Sequence, residues 1–212
     1  DDMPLDKAAL IGCGVTTGVG AVMNTAQVRP GETVAVLGCG GIGLNAIQGA
    51  AIAGAGRVIA IDRLASKLAM ATTFGATDVV DASVDDPVQA VRELTGGGVD
   101  HSFEAIGLKV TAEAAFAMLG KGGTATLIGM VPIGQRLELE PTALLSGKRI
   151  QGSNMGSNRF RIDMPRYVDW YLHGKLKLDE LVSATMHLDE INDGFRTLAS
   201  GEVARQLIVF DQ

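Results

Sequence analysis

The stretch from Thr33 to Asp62, TVAVLGCGGIGLNAIQGAAIAGAGRVIAID, constrains the fold more than any other part of the chain. TVAVLG reads as a strand, GIGLNAIQGAAIAG as a helix and RVIAID as a second strand. Both strand cores, VAVLG and VIAI, are apolar at every position, as strands covered by helices on both faces must be. A strand–helix–strand unit of this kind joins parallel strands by a right-handed crossover. The alternation continues with RLASKLAMATTFG as a helix ending at Gly75, DVVD as a short strand, and DPVQAVRELTGG as a helix with Pro87 in its first turn. VDHSFEAIG, TATLIGM and KRIQGSN supply a fourth, fifth and sixth strand, with KVTAEAAFAMLGKGG as the intervening helix. The expected fold class is therefore α/β, a doubly wound parallel sheet. After Asn154 the rhythm changes. MPRYVDWYLHGKLKLDELV holds a helix stopped near Gly174, LDEINDGFRTLASG is another helix with Asp189 as a candidate N-cap, and RQLIVF is a last strand.

Composition narrows the function classes. A chain of 212 residues with 47% apolar and 20% charged residues has the length and core of one large domain, or of one domain and part of another. Its net charge is −6 and it has no basic stripe, which argues against a nucleic-acid partner. Two windows, Ala8–Val28 and Thr33–Gly56, carry no charge and are long enough to span a bilayer. The first is interrupted by Thr16, Thr17, Asn24, Thr25 and Gln27 and the second by Gly38, Gly40, Gly41 and Gly43, so buried elements and no membrane partner are expected. No signal peptide is recognisable, and Cys13 and Cys39 make no disulfide framework. A reducing, cytoplasmic setting is the expectation. The chain opens on Asp1, which leads us to expect a segment upstream.

The chemistry-bearing motif is GCGGIG. Gly38, Gly40 and Gly43 form G-x-G-x-x-G between a strand and a helix, and Asp62 follows Gly43 by 19 residues at the end of the next strand, close to the ~20 of a dinucleotide fingerprint. Gly38 serves the tight turn, Gly40 the approach of a pyrophosphate and Gly43 the packing of helix on strand, with the anion on the helix N-terminus. A carboxylate at Asp62 accepts from ribose hydroxyls and repels a 2′-phosphate, which favours NAD over NADP; Arg63 argues mildly the other way. A ligand-free glycine turn and an S-adenosylmethionine site are the alternatives for this motif. Tyr171 and Lys175 have the Y-x-x-x-K spacing that resembles a short-chain dehydrogenase pair, but Gly174 interrupts the helix needed to align them. Cys13 has two readings, a small buried cysteine or a metal ligand. The histidines, His101, His173 and His187, show no ligand spacing with it.

LIGCGVTTGVGAV, VAVLGCGGIGLNAIQGA, VIAIDRLASKLAMATTFGATDVV, GGVDHSFEAIG, LLSGKRIQGSNMGS and LDEINDGFRTLASGEVARQLIVF together resemble the zinc-dependent medium-chain alcohol dehydrogenases, from Leu10 to Phe210. The similarity is to the liver-type and class III (glutathione-dependent formaldehyde dehydrogenase) branches. The sorbitol dehydrogenase branch typically has an acidic residue where Cys13 stands. The resemblance implies a Rossmann domain over 14–154, with 1–13 and 155–212 belonging to a GroES-like catalytic domain. That domain's other Cys and His ligands, structural zinc lobe and hydroxyl relay are not in this chain. Cys13 is implied as a ligand of the catalytic zinc, and Thr17 as a residue packing near the nicotinamide. Gly38, Gly40, Gly41, Ile42 and Gly43 would hold the pyrophosphate, together with Arg205 from the C-terminal region. Asp62 and Lys67 would bind the adenosine ribose, and Arg63 would lie along the adenine. Ile106 would line the cofactor cleft; the Ile128 and Ser153 carbonyls and the Met155 amide would hold the carboxamide. Met130 and Asn154 would border the substrate pocket.

The implied cofactors are NAD and zinc, and the implied partner is a small alcohol or aldehyde. The implied reaction has zinc acting as a Lewis acid on the alcohol oxygen while hydride passes to NAD⁺. The chain alone is expected to be inactive, since one ligand does not hold a catalytic metal. Two other readings stand beside this one, a dehydrogenase of S-(hydroxymethyl)glutathione-type adducts and a non-catalytic NAD-binding module. In the family that the chain resembles, the edge strand at 148–154 pairs across a two-fold axis, and the resemblance therefore implies a homodimer or homotetramer.

Overall fold

The computed structural model describes residues 2–200 and 203–210 of the chain. Six strands, β1 (Thr33–Leu37), β2 (Arg57–Asp62), β3 (Asp78–Asp81), β4 (Val99–Glu104), β5 (Leu119–Leu127) and β6 (Arg149–Gly152), form one parallel sheet in the order β3-β2-β1-β4-β5-β6. The doubly wound α/β expectation is met. The order reverses between β1 and β4, and in such sheets the crevice beyond the strand C-termini at that point is where ligands bind. Register sets what meets there. Leu37 pairs with Ile61 on one side and with Glu104 on the other, so Gly38, Asp62 and Ala105 reach the same rim.

Among the described residues the helices of nine residues or more are α1 (Leu5–Ala26), α2 (Gly41–Ile52), α3 (Ala65–Thr73), α4 (Pro87–Thr95), α5 (Lys109–Ala117), α6 (Phe160–Leu172) and, in the C-terminal region, α7 (Ile191–Ser200). Local chemistry explains their limits. The Asp86 carboxylate accepts from the Val88 and Gln89 amides at 2.8 and 3.0 Å, Pro87 occupies the first turn of α4, and Gly96 ends it at φ 68°. Gly75, at φ 106°, follows α3 as the sequence predicts. Helix α5 stops at Ala117, earlier than its alanine-rich pattern suggests, because Met118 and Leu119 are fully buried and Leu119 already pairs with Val99.

Among the described residues α1 alone is long and apolar enough to cross a membrane. Its Leu10, Ile11, Val15, Val19 and Val22 instead join Val34, Val36, Leu44 and Ile47 in one buried cluster. The C-terminal region adds a second, two-stranded parallel sheet, β7 (Val182–Met186) with β8 (Arg205–Ile208). Yet Tyr167, Leu176, Leu178 and Leu181 bury in the same cluster as α1, so this region packs on the main core. Asp189 does not cap α7. A 3₁₀ turn at Leu188–Glu190 precedes the helix, and the Glu190 carboxylate accepts from the His187 amide at 2.8 Å.

Candidate functional site

The glycine-rich turn folds as its spacing requires. Gly38 adopts φ 91°, where a Cβ would lie 2.5 Å from Ile106 Cγ1, and a Cβ on Gly43 would overlap the Gly38 carbonyl oxygen. At Gly40 a Cβ would meet nothing within 4 Å, which leaves open space in front of the first turn of α2. No side chain caps this helix, so its leading amides face that space without a protein acceptor from a capping residue.

Arg205, from β8 at the far end of the chain, comes to the same turn. Its guanidinium lies against Gly41, and a Cβ on Gly14 would stand 3.0 Å from its Nη2. Nη1 donates to the Ala204 carbonyl at 2.9 Å. Among the described residues no carboxylate pairs with it, and burial pushes its pKa down, partly offset by the nearby Cys13 thiol. A cation at a helix N-terminus opposes the helix dipole, and both prefer an anion between or beside them. Arg205, Gly41 and the open volume at Gly40 therefore make an anion cradle.

Asp62 stands beside the cradle at the end of β2. Its Oδ2 accepts from the Cys39 amide at 2.8 Å, and its Oδ1 from the Arg63 and Leu64 amides at 2.8 and 3.1 Å. It thus ties the glycine turn to β2 and has about one of its four lone-pair sites left for an outside donor. Arg63 is exposed and Lys67 half-buried. Cys39 is the buried cysteine; burial and then the Asp62 charge push its thiol up to about 12.

The opposite end of the cleft draws on distant segments. Ile106 is 48% exposed at the tip of the β4–α5 loop. That loop is held by Glu104, a fully buried carboxylate whose Oε1 accepts from the Ile106 amide (2.9 Å), the Gly107 amide (2.7 Å) and Thr111 Oγ1 (2.7 Å). Ile128 is half-buried after β5, and Ser153 is buried after β6, its amide donating to the Leu127 carbonyl at 2.8 Å. Met155 follows at φ 49°, and its Sδ lies 3.8 Å from Thr17 Oγ1 on α1. The structure thus brings Thr17 and Met155 into contact. Met130 and Asn154 are exposed.

Cys13 sits in a π-helical turn of α1, Ile11–Val15, and is exposed between the buried Ile11 and Gly14. The buried-cysteine reading does not hold for it. It lines a cavity of about 480 Å³ with Arg205, Met186, Phe195 and Leu198. A catalytic zinc takes three protein ligands. Among the described residues no group of three His, Cys, Asp or Glu side chains is placed to hold a metal. His101 Nε2 is 3.0 Å from Glu32, and His173 Nδ1 is 3.2 Å from Asp169. The donors present do not fit a complete zinc site; Cys13 offers one ligand only. For the dinucleotide the donor set does fit, given the open cradle, the uncapped helix and the cation.

Tyr171 and Lys175 are not brought together for chemistry. The Tyr171 hydroxyl donates to Asp179 at 3.2 Å, and Gly174 at φ 68° ends the helix before Lys175. Sequence reasoning missed Glu104, which ends the mixed strand VDHSFE, where the polar Asp100, His101 and Ser102 leave a further charge without contrast. It also missed Asn24, Arg159 and Asp163, which carried no motif.

Residues 41–172 match the zinc-binding dehydrogenase family. The chain is 39% identical to the S-(hydroxymethyl)glutathione dehydrogenase of Paracoccus denitrificans, over 99% of this chain and 58% of that protein. Among solved structures it is similar to benzyl alcohol dehydrogenase from Acinetobacter calcoaceticus, with a TM-score of 0.95, 32% identity, and coverage of 99% of this chain and 58% of that one. A putative zinc-binding dehydrogenase from Sinorhizobium meliloti 1021, bound to NADP, matches with a TM-score of 0.78 and 33% identity over 85% of this chain and 53% of that one. The chain spans less than two thirds of the length of these relatives.

Proposed function

The chain belongs to the zinc-binding dehydrogenase family, and on that premise we propose that it is the cofactor-binding part of an NAD-dependent, zinc-assisted alcohol dehydrogenase. The reaction is hydride transfer between a primary or secondary alcohol and its aldehyde or ketone. The observation that carries this reading is Arg205, a cation without a carboxylate partner among the described residues, set against the glycine-rich start of α2.

When bound, the nicotinamide accepts the hydride. The chain's own residues orient it. Arg205 and the first amides of α2, at Gly41, Ile42 and Gly43, hold the pyrophosphate. Asp62 and Lys67 take the adenosine ribose, and Arg63 lies along the adenine. Asp62 disfavours a 2′-phosphate. Ile128 and Ser153 carbonyls and the Met155 amide hold the carboxamide, while Thr17 and Ile106 line the ring pocket. Cys13 contributes one thiolate to a metal site whose other ligands lie outside this chain. In this reading 14–154 is the cofactor domain, and 1–13 with 155–212 belong to the catalytic domain. Strand β6 lies at the sheet edge, free for a second copy to pair with.

The name of the Paracoccus relative favours a second substrate reading, an S-(hydroxymethyl)thiol adduct of the glutathione type. Turnover assays on a protein that includes the catalytic domain separate the two substrates.

Calorimetric titration of this chain with NADH and NADPH tests the cofactor assignment. Saturable NADH binding with NADPH at least about tenfold weaker is expected. Preference for NADPH overturns the role of Asp62, and binding of neither overturns the dinucleotide reading. Zinc-dependent alcohol oxidation by the isolated chain would show that the metal site is complete without outside ligands.

A further inference from the structure

Met155, Gly156 and Ser157 form a run of three left-handed residues, at φ 49°, 63° and 47°. Only the middle one is glycine, and a Cβ there would overlap the Thr16 carbonyl oxygen of α1. A backbone of this kind persists only where its surroundings over-determine it. The surroundings are a polar network that no motif announced. Asn24, on the last turn of α1, donates from Nδ2 to the Gly156 carbonyl at 3.2 Å and to Asp163 Oδ2 at 3.1 Å. Asp163 belongs to α6 and is 1% exposed. It also accepts from the Arg159 amide at 2.8 Å, from Arg159 Nη2 at 2.9 Å and from Arg159 Nε at 3.3 Å. Arg159 Nη2 closes the ring on Asn24 Oδ1 at 3.3 Å. Thr25 Oγ1, beside Asn24, lies 2.8 Å from both Ser153 Oγ and Ser157 Oγ.

This network reaches three elements and ends on one object, the turn carrying Met155. On its other side that turn meets the cleft, where Met155 Sδ touches Thr17. Among the described residues no hydrogen bond engages the Met155 amide, so this donor is available. A buried acidic side chain bonded on every side holds its partners in one geometry, since leaving any donor unpaired is costly. We propose that Asn24, Asp163 and Arg159 are positioning residues that clamp the Met155 turn from behind, and so set the affinity for the nicotinamide half of the dinucleotide without touching it. The proposal rests on the dinucleotide reading given above.

The clamp makes a prediction that a merely stabilising contact does not. Its loss should weaken binding of the ligand portion that reaches Met155 and spare the portion that does not. The test is calorimetric titration of the chain with NADH and with ADP-ribose, which lacks the nicotinamide. Unaltered chain is expected to bind NADH more tightly than ADP-ribose. In Asn24→Ala the NADH affinity is expected to fall about tenfold while ADP-ribose changes less than about twofold. Arg159→Ala, at a side chain 56% exposed, removes no packed apolar group and is expected to give the same pattern at about threefold. Asp78→Asn serves as the control, since it breaks an ion pair with Arg57 (2.8 Å) at the N-terminal end of the sheet and should leave the ratio of the two affinities unchanged.

An unchanged ratio in folded Arg159→Ala and Asn24→Ala overturns the clamp and leaves the dinucleotide reading standing. So does a parallel loss of both ligands. Equal affinity for NADH and ADP-ribose in the unaltered chain also overturns it, because the turn then contributes nothing to the nicotinamide. Binding of neither ligand overturns the dinucleotide reading and the clamp with it.

Discussion

At the proposed phosphate end of the cleft, Gly38, Gly40, Gly43 and Asp62 come from one strand–helix–strand unit, and the bonds that shape it run within that unit. At the proposed nicotinamide end, Thr17, Ile106, Ile128, Ser153 and Met155 come from α1, the β4–α5 loop, the ends of β5 and β6 and the turn after them. Apart from Arg205, which β8 brings to Gly41, the first end is built by backbone geometry over a short stretch of chain. The second is built by side chains that reach across the fold, Glu104 under one loop and Asn24 with Asp163 behind another. Substitutions near the first should therefore act on folding or on every ligand. Substitutions behind the second should act selectively.

The largest expected effect is at the local end. Gly43→Val drives a side chain into the Gly38 carbonyl and should lower unfolding free energy by about 3 kcal/mol or more, read from urea denaturation. A midpoint near that of the unaltered chain would show that the turn has slack the geometry does not reveal. Next comes Arg205→Ala, which should weaken NADH and ADP-ribose together, by about tenfold to a hundredfold, because both carry the pyrophosphate. Selective loss of NADH would move Arg205 to the other side of the comparison.

Glu104→Ala leaves the Ile106 and Gly107 amides without their acceptor and should cost about 2 kcal/mol in the same denaturation assay. Asp62→Asn should weaken NADH about tenfold and narrow its advantage over NADPH, measured by competition titration. The smallest effect concerns pH. Burial raises the Asp163 pKa, but the bonds from Arg159 and Asn24 outweigh it and hold the group below its ordinary value. Its stabilising contribution is thus present above the unfolded-state pKa and lost as pH falls through the folded-state pKa. Asp163→Asn should flatten the acid limb of the stability profile; an unchanged limb assigns that limb to other carboxylates.

The glycine turn and Asp62 were legible because their constraints are local: a helix must start within a few residues of a strand's end, and glycine alone fits there. The anion role proposed for Arg205 rests on the family resemblance and not on any pattern in RQLIVF, since nothing local marks that residue. Glu104 was overlooked because a charge within a strand reads as a solvent-facing position, whereas here both faces of the sheet are covered. Asn24 was invisible for a different reason, as its partners Arg159 and Asp163 lie more than a hundred residues away along the chain.

Sequence by itself determined the order and type of the main elements, the parallel sheet and the place of the glycine turn, because hydrophobic period and glycine geometry act over short stretches. Tertiary structure alone decided that Cys13 is exposed in a π turn, that Arg205 meets Gly41, and that a buried carboxylate stands behind Met155. Those outcomes depend on which distant surfaces share the core, and on hydrogen bonds whose partners only packing brings within reach.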